Sequence, residues 1–226
     1  MTPRDDLRCV LFDLDGTLAD TAPDLGGALN RLLEEEGLSP LPLEVTRPVT
    51  SQGVRGLLRV GLGLEPTDAT YHERAQRVLA HYAAAICENT RLFDGIDAVL
   101  EALEAAGIKW GIVTNKHARF TDPLVAALGL DVRAACVVSG DSAPHPKPHP
   151  APLLLACDKA GVPAEASVYI GDDLRDIQAG RAAGMRTIAA AWGYLGHGSP
   201  VEEWGADLIA ENPAAILGAL SCKHVQ

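Results

Sequence analysis

The chain has 226 residues, 47% hydrophobic and 22% charged, enough for one full domain and a small second module around a sizeable core. A formal net charge of -11 excludes a broad basic nucleic-acid surface and opposes any anionic ligand unless local positive charge intervenes. No apolar run approaches the roughly 20 residues of a membrane span; the start lacks an apolar targeting core, and Cys9, Cys87, Cys136, Cys157 and Cys222 form no C-x-x-C pair, so a cytoplasmic protein with reduced thiols is expected.

In chain order, the first short apolar run, 8–12, reads as a strand. From about 21 to 89 the pattern is helical, with no convincing strand. Leu25, Ala28, Leu29, Leu32 and Leu33 recur at the spacing of one helix face, with Pro23 in the first turn and Gly37 at the end. A short helix is expected from Gln52-Gly53. Ala75, Val78, Leu79, Tyr82, Ala83 and Ile86 make a second apolar stripe. Beyond 90, strands at 109–114, 135–139, 167–170 and 186–190 alternate with helices at 98–106, 120–128, 151–160 and 173–183. Gly107, Gly129, Gly161 and Gly184 stand where helix C-caps are expected. Residues 207–210 read as a short edge strand. The alternation predicts an α/β domain with a parallel sheet covered on both faces. It is formed by 1–20 and 90–226, with a helical module, 21–89, inserted after the first strand. No internal repeat interrupts this order.

Chemistry-bearing residues cluster at the ends of the expected strands. The first ends in Asp13-Leu14-Asp15-Gly16-Thr17, with two carboxylates on one side of an extended segment and a glycine that permits a tight turn. Burying two such charges requires a cation or a shared proton. The next strand ends in Thr114-Asn115, which either binds an anion or merely closes a strand. Lys147 sits between prolines that stiffen its backbone. Gly171-Asp172-Asp173 and Asp176 close the fourth run. Asp173 and Asp176 fall in a first helical turn, where they serve either a site or only the helix dipole. In an open parallel sheet the strand C-termini line one rim, so Asp13, Thr114, Lys147 and Asp172 are expected in one crevice.

These four motifs, in this order and spanning essentially the whole chain, resemble the haloacid dehalogenase superfamily of phosphohydrolases. That implies a Rossmann-like sheet with an all-helical cap. The second aspartate, Asp15, is kept in phosphatases of this superfamily and not in true haloacid dehalogenases. The helical insert resembles the branch that includes phosphoglycolate phosphatases. A finer likeness, carried by Trp110 to Lys116 with Arg119-Phe120, by Gly171 to Ile177 and by Trp204 to Asp207, is to N-acetylmuramic acid 6-phosphate phosphatases of peptidoglycan recycling.

The resemblance implies Asp13 as nucleophile and Asp15 as general acid and base. It implies Mg²⁺ held by Asp13, Asp172 and the Asp15 main-chain carbonyl. Thr114, Asn115 and Lys147 would bind phosphate, and Asp173 and Asp176 would orient the metal site. Ser51, Gln52, Gly53 and Arg55 are candidate cap contacts to the substrate. The partner is a small phosphorylated metabolite, and the protein a monomer or small homo-oligomer. A phosphosugar mutase and a silent binding module are the alternatives, the latter disfavoured because every proposed catalytic position holds a competent residue. His145 and His149 among prolines read as loop residues. His117 either lines the crevice or is a solvated helix-start residue. Trp192, Tyr194 and Trp204 read as packing residues, and Glu34 to Glu36 as a solvated helix end.

Overall fold

The computed structural model describes residues 7–196 and 198–221. The chain start and Cys222 lie outside the described residues. Six parallel strands form the main sheet in the order β5-β4-β1-β6-β7-β8. They are β1 (Cys9–Phe12), β4 (Lys109–Val113), β5 (Cys136–Val138), β6 (Ser167–Gly171), β7 (Arg186–Ala190) and β8 (Leu208–Ala210). The expected short strand at 207–210 is therefore present, at the sheet edge.

β1 is central and wholly buried. Val10 and Phe12 face one apolar layer, and Cys9 and Leu11 face the other, as the two-residue period of a strand demands. The first layer is built on α5 (Ile96–Ala105), α6 (Ala118–Ala127) and α9 (Pro213–Ser221). The second rests on α7 (Ala151–Ala160) and α8 (Leu174–Ala182). Gly107, Gly129, Gly161 and Gly184 all take positive φ just beyond their helices.

Four helices lie between residues 21 and 90: α1 (Ala22–Glu35), α2 (Leu43–Thr46), α3 (Gly53–Leu62) and α4 (Tyr71–Ala84). A 3₁₀ turn, Arg47–Gln52, leads into α3. The five α1 positions expected to face inward are all buried. On α4 the stripe holds at Ala75, Val78 and Tyr82, but Ala83 is exposed and Ile86 lies past the helix end. α1, α3 and α4 share one apolar cluster, which Phe120 of α6 joins from the sheet domain. Glu35 and Glu36 are not merely solvated. They pair with Arg74, Arg77 and His81 and tie the end of α1 to α4.

Two segments link the helices to the sheet domain, and they pair with each other. β2 (Ala19–Asp20) and β3 (Arg91–Leu92) form an antiparallel ribbon. The buried Asp24 carboxylate accepts hydrogen bonds from the main-chain N–H and side-chain amide of Asn89 and from the N–H and hydroxyl of Thr90. Asp24→Ala should strand these donors and lower stability by about 2–3 kcal/mol, measured by chemical denaturation.

Among the described residues no helix is long and apolar enough to cross a membrane, and Cys9, Cys87, Cys136 and Cys157 are free thiols.

Candidate active site

Strand order reverses on either side of β1, so a crevice opens at the C-terminal end of that strand. Phe12 is in register with Ile112 of β4 and Ile170 of β6. Asp13, Thr114 and Asp172 therefore leave their strands at one rim. Gly16, at φ 86, turns the chain back over Asp172, where an added Cβ would strike the carboxylate.

Lys147 organises the rim. Its Nζ lies 2.9 Å from Asp13 Oδ1 and 2.7 Å from Asp176 Oδ1. It also donates to the Tyr169 hydroxyl at 2.8 Å and to the Val113 carbonyl at 3.1 Å. The side chain is only 2% exposed. Burial works against its charge, but Asp13 and Asp176 outweigh that and raise its pKa. Its backbone is held by Asn115, whose side-chain amide donates to the Lys147 carbonyl and accepts from its N–H. The Lys147–Pro148 peptide is cis.

Asp13, Asp172 and Asp176 bring carboxylate oxygens within 4.8 Å of one another. Thr17 Oγ1 and the Tyr194 N–H donate to Asp172. Burial, then the charges of Asp13 and Asp176, still push Asp172 well above the usual carboxylate range. Burial pushes Asp176 up to about 7, against the pull of Lys147 and with the help of Asp13. One ammonium facing three buried carboxylates leaves negative charge uncompensated. The donors are all hard oxygens, so this cluster fits Mg²⁺.

Asp15 stands apart from that cluster. Its Oδ1 accepts from Thr21 Oγ1 at 2.6 Å and from Lys116 Nζ at 2.7 Å. Burial works against the Lys116 charge, but Asp15 and Tyr82 more than offset this and raise its pKa. The same ammonium sits 4.8 Å from the centre of the Tyr82 ring on α4. Asp173 caps α8 in a reciprocal box with Asp176. Its carboxylate also pairs with Arg175 at 2.8 Å, and Arg175 in turn donates to the Ser51 carbonyl. Burial opposes the Asp173 charge, but the Arg175 guanidinium holds its pKa below the usual range.

A cavity of about 350 Å³ opens over this rim. Asp13, Asp15, Thr114, Asn115, Lys147, Asp173 and Asp176 line it from below, and Ser51, Gln52 and Gly53 from the helical side. Asp172 is buried beneath. Arg55 is not among the lining residues; it is exposed and pairs with Glu65. His117 does line the cavity, and its ring lies 3.5 Å from Asp141. His145 and His149 are exposed loop residues. Trp204 is buried, as a packing residue should be. Tyr194 does more than pack, because its hydroxyl accepts from the N–H groups of Thr21 and Ala22 where β2 passes into α1.

Lys116, Tyr169 and Arg175 were not expected at the site. Lys116 carried a faint signal, since it directly follows Thr114-Asn115 at a strand end. Tyr169 carried none, because a tyrosine inside an apolar strand reads as core.

The model for haloacid dehalogenase-like hydrolases matches residues 10–190. A phosphoglycolate phosphatase from Xanthomonas campestris is 46% identical over 92% of this chain and 94% of its own length. An N-acetylmuramic acid 6-phosphate phosphatase from Pseudomonas aeruginosa is 39% identical over 95% of each chain. A crystal structure titled a predicted phosphoglycolate phosphatase from Haemophilus somnus superposes with a TM-score of 0.83 at 28% identity, covering 95% of this chain and 98% of that one.

Proposed function

Because the chain belongs to the haloacid dehalogenase-like hydrolases and is a phosphatase for a small phosphorylated substrate, we propose that Asp13 is its nucleophile and that Mg²⁺ is its cofactor. The observation that carries this reading is the rim itself, where Lys147 joins Asp13 to Asp176 with Asp172 alongside.

Asp13 attacks phosphorus and the ester oxygen leaves, giving an aspartyl-phosphate that water then cleaves. Lys147 holds Asp13 in place and offers positive charge to the phosphoryl oxygens, with the Thr114 hydroxyl and the Asn115 N–H beside it. Asp15 donates a proton to the leaving oxygen and later takes one from the attacking water. To do so it must exchange the Lys116 and Thr21 contacts for the substrate. Asp13, Asp172 and the Asp15 carbonyl would hold Mg²⁺, with Asp173 and Asp176 orienting the surrounding groups. Bound there, the ion neutralises charge on the phosphoryl group. Residues 21–89 act as a cap on the core formed by 1–20 and 90–226, excluding water from the reaction. Their shared apolar cluster supports that division. Phosphate release from p-nitrophenyl phosphate should require Mg²⁺ and stop with EDTA; unchanged release in EDTA would refute the metal assignment.

The substrate is N-acetylmuramic acid 6-phosphate. A cavity of about 350 Å³, walled partly by Ser51, Gln52, Gly53 and Tyr82, suits a sugar-sized leaving group. Phosphoglycolate is the second reading, favoured by the Xanthomonas relative named for it. Comparing kcat/KM for the two and for simple hexose phosphates separates them. The sugar acid should lead by at least about tenfold, a difference of roughly 1.4 kcal/mol.

A further inference from the structure

Most charges in the cavity are met within the protein: Lys116 by Asp15, Lys147 by Asp13 and Asp176, and Arg175 by Asp173. Arg119 is the exception. It is an exposed residue that lines the cavity from the first turn of α6, with its guanidinium 4.5 Å from the centre of the Phe120 ring. No carboxylate among the described residues pairs with it. The Phe120 ring touches that of Tyr82, at 5.6 Å between centroids, so arginine and tyrosine belong to one wall.

One further cavity group is unmet. The Ser51 hydroxyl is buried without a hydrogen-bond partner. Tyr82, 1% exposed, has the Lys116 ammonium beside it. An orphaned buried hydroxyl costs about 1–3 kcal/mol unless a ligand satisfies it.

We propose that Arg119, assisted by the Ser51 hydroxyl, is a specificity-determining subsite for phosphate esters whose leaving group carries a carboxylate. This rests on the phosphatase reading above. The phosphoryl group is already served by Lys147, so Arg119 is available to a second anion. A guanidinium fork matches a carboxylate in two parallel hydrogen bonds, and this one lies over the Phe120 ring. A chain of net charge -11 repels an ester that carries both a phosphate and a carboxylate, which makes one cation without a carboxylate partner in the cavity worth more. Phosphoglycolate and N-acetylmuramic acid 6-phosphate differ greatly in size, yet both carry a carboxylate besides the phosphate. Simple hexose phosphates do not.

The test uses two matched pairs of esters. N-acetylmuramic acid 6-phosphate is set against N-acetylglucosamine 6-phosphate, and phosphoglycolate against hydroxyethyl phosphate. Ratios of kcat/KM are measured for the wild type, Arg119→Gln and Arg119→Lys. An ester that binds without turnover is scored by its inhibition of p-nitrophenyl phosphate hydrolysis. The wild type should prefer the carboxylate member of each pair. Arg119→Gln should reduce that preference about 10–100-fold, mainly through KM, with Arg119→Lys recovering part of it. A melting curve confirms that each variant is folded. Preference ratios unchanged in Arg119→Gln, or no carboxylate preference in the wild type, would overturn the subsite. Failure to hydrolyse all four esters, with the inhibition ratios still shifted by the variant, would instead overturn the substrate reading and leave the subsite standing.

Discussion

Asp13→Asn is expected to lower kcat by at least about 10³-fold while leaving the protein folded. The amide cannot attack phosphorus, so the covalent route closes. Stability should hold or rise, because the change removes one of three carboxylates crowded within 4.8 Å. Lys147 retains Asp176 at 2.7 Å. Steady-state turnover and a thermal melt, taken on one preparation, check both halves. Full activity would eliminate Asp13 as nucleophile, and a collapsed melt would mean that its main role is structural.

Lys147→Met should have the largest effect on stability. The lysine is the only cation in direct contact with Asp13 and Asp176 among the described residues. Removing it leaves buried carboxylates facing one another and should cost about 3–5 kcal/mol, measured by denaturation in EDTA. It also removes a donor to the Tyr169–Val113 pair and should abolish turnover. Adding Asp176→Asn to Lys147→Met should recover part of the lost stability, because the two side chains share one charge network. Strict additivity would contradict the account of Lys147 as the charge balance of the rim.

The fold was legible in the sequence because its strands are short, apolar and punctuated by glycine. The site was legible where residues leave those strands, since a parallel sheet brings all such ends to one rim. Asp13, Thr114 and Asp172 follow from that rule, while Lys147 sits in the loop beyond β5 and was marked by its flanking prolines. What could not be read depends on contacts between distant segments. β2 and β3 have two residues each, too few for any period to register. The attachment of Lys116 to Asp15 spans 101 residues and needs the α4 tyrosine to complete it. Asn115 reads as a phosphate contact, but that its side chain also braces Lys147 across 32 residues is not visible in the sequence. Asp176 looked like a helix-start residue and is one, but the same carboxylate also reaches Lys147. Arg55 had the charge and the neighbourhood of a substrate contact, yet Glu65, ten residues on, holds it on the surface. Charge pairing of that kind depends on side-chain direction, which a sequence does not display.

The covalent step at Asp13 is the central claim, and chemical trapping tests it most directly. Enzyme quenched during turnover is reduced with borohydride, which converts an aspartyl-phosphate to homoserine, and the peptides are mapped by mass spectrometry. Substrate-dependent conversion confined to Asp13 and absent from Asp13→Asn is the predicted result. Conversion at Asp15 or Asp172, or none at any aspartate while phosphate is being released, would contradict it.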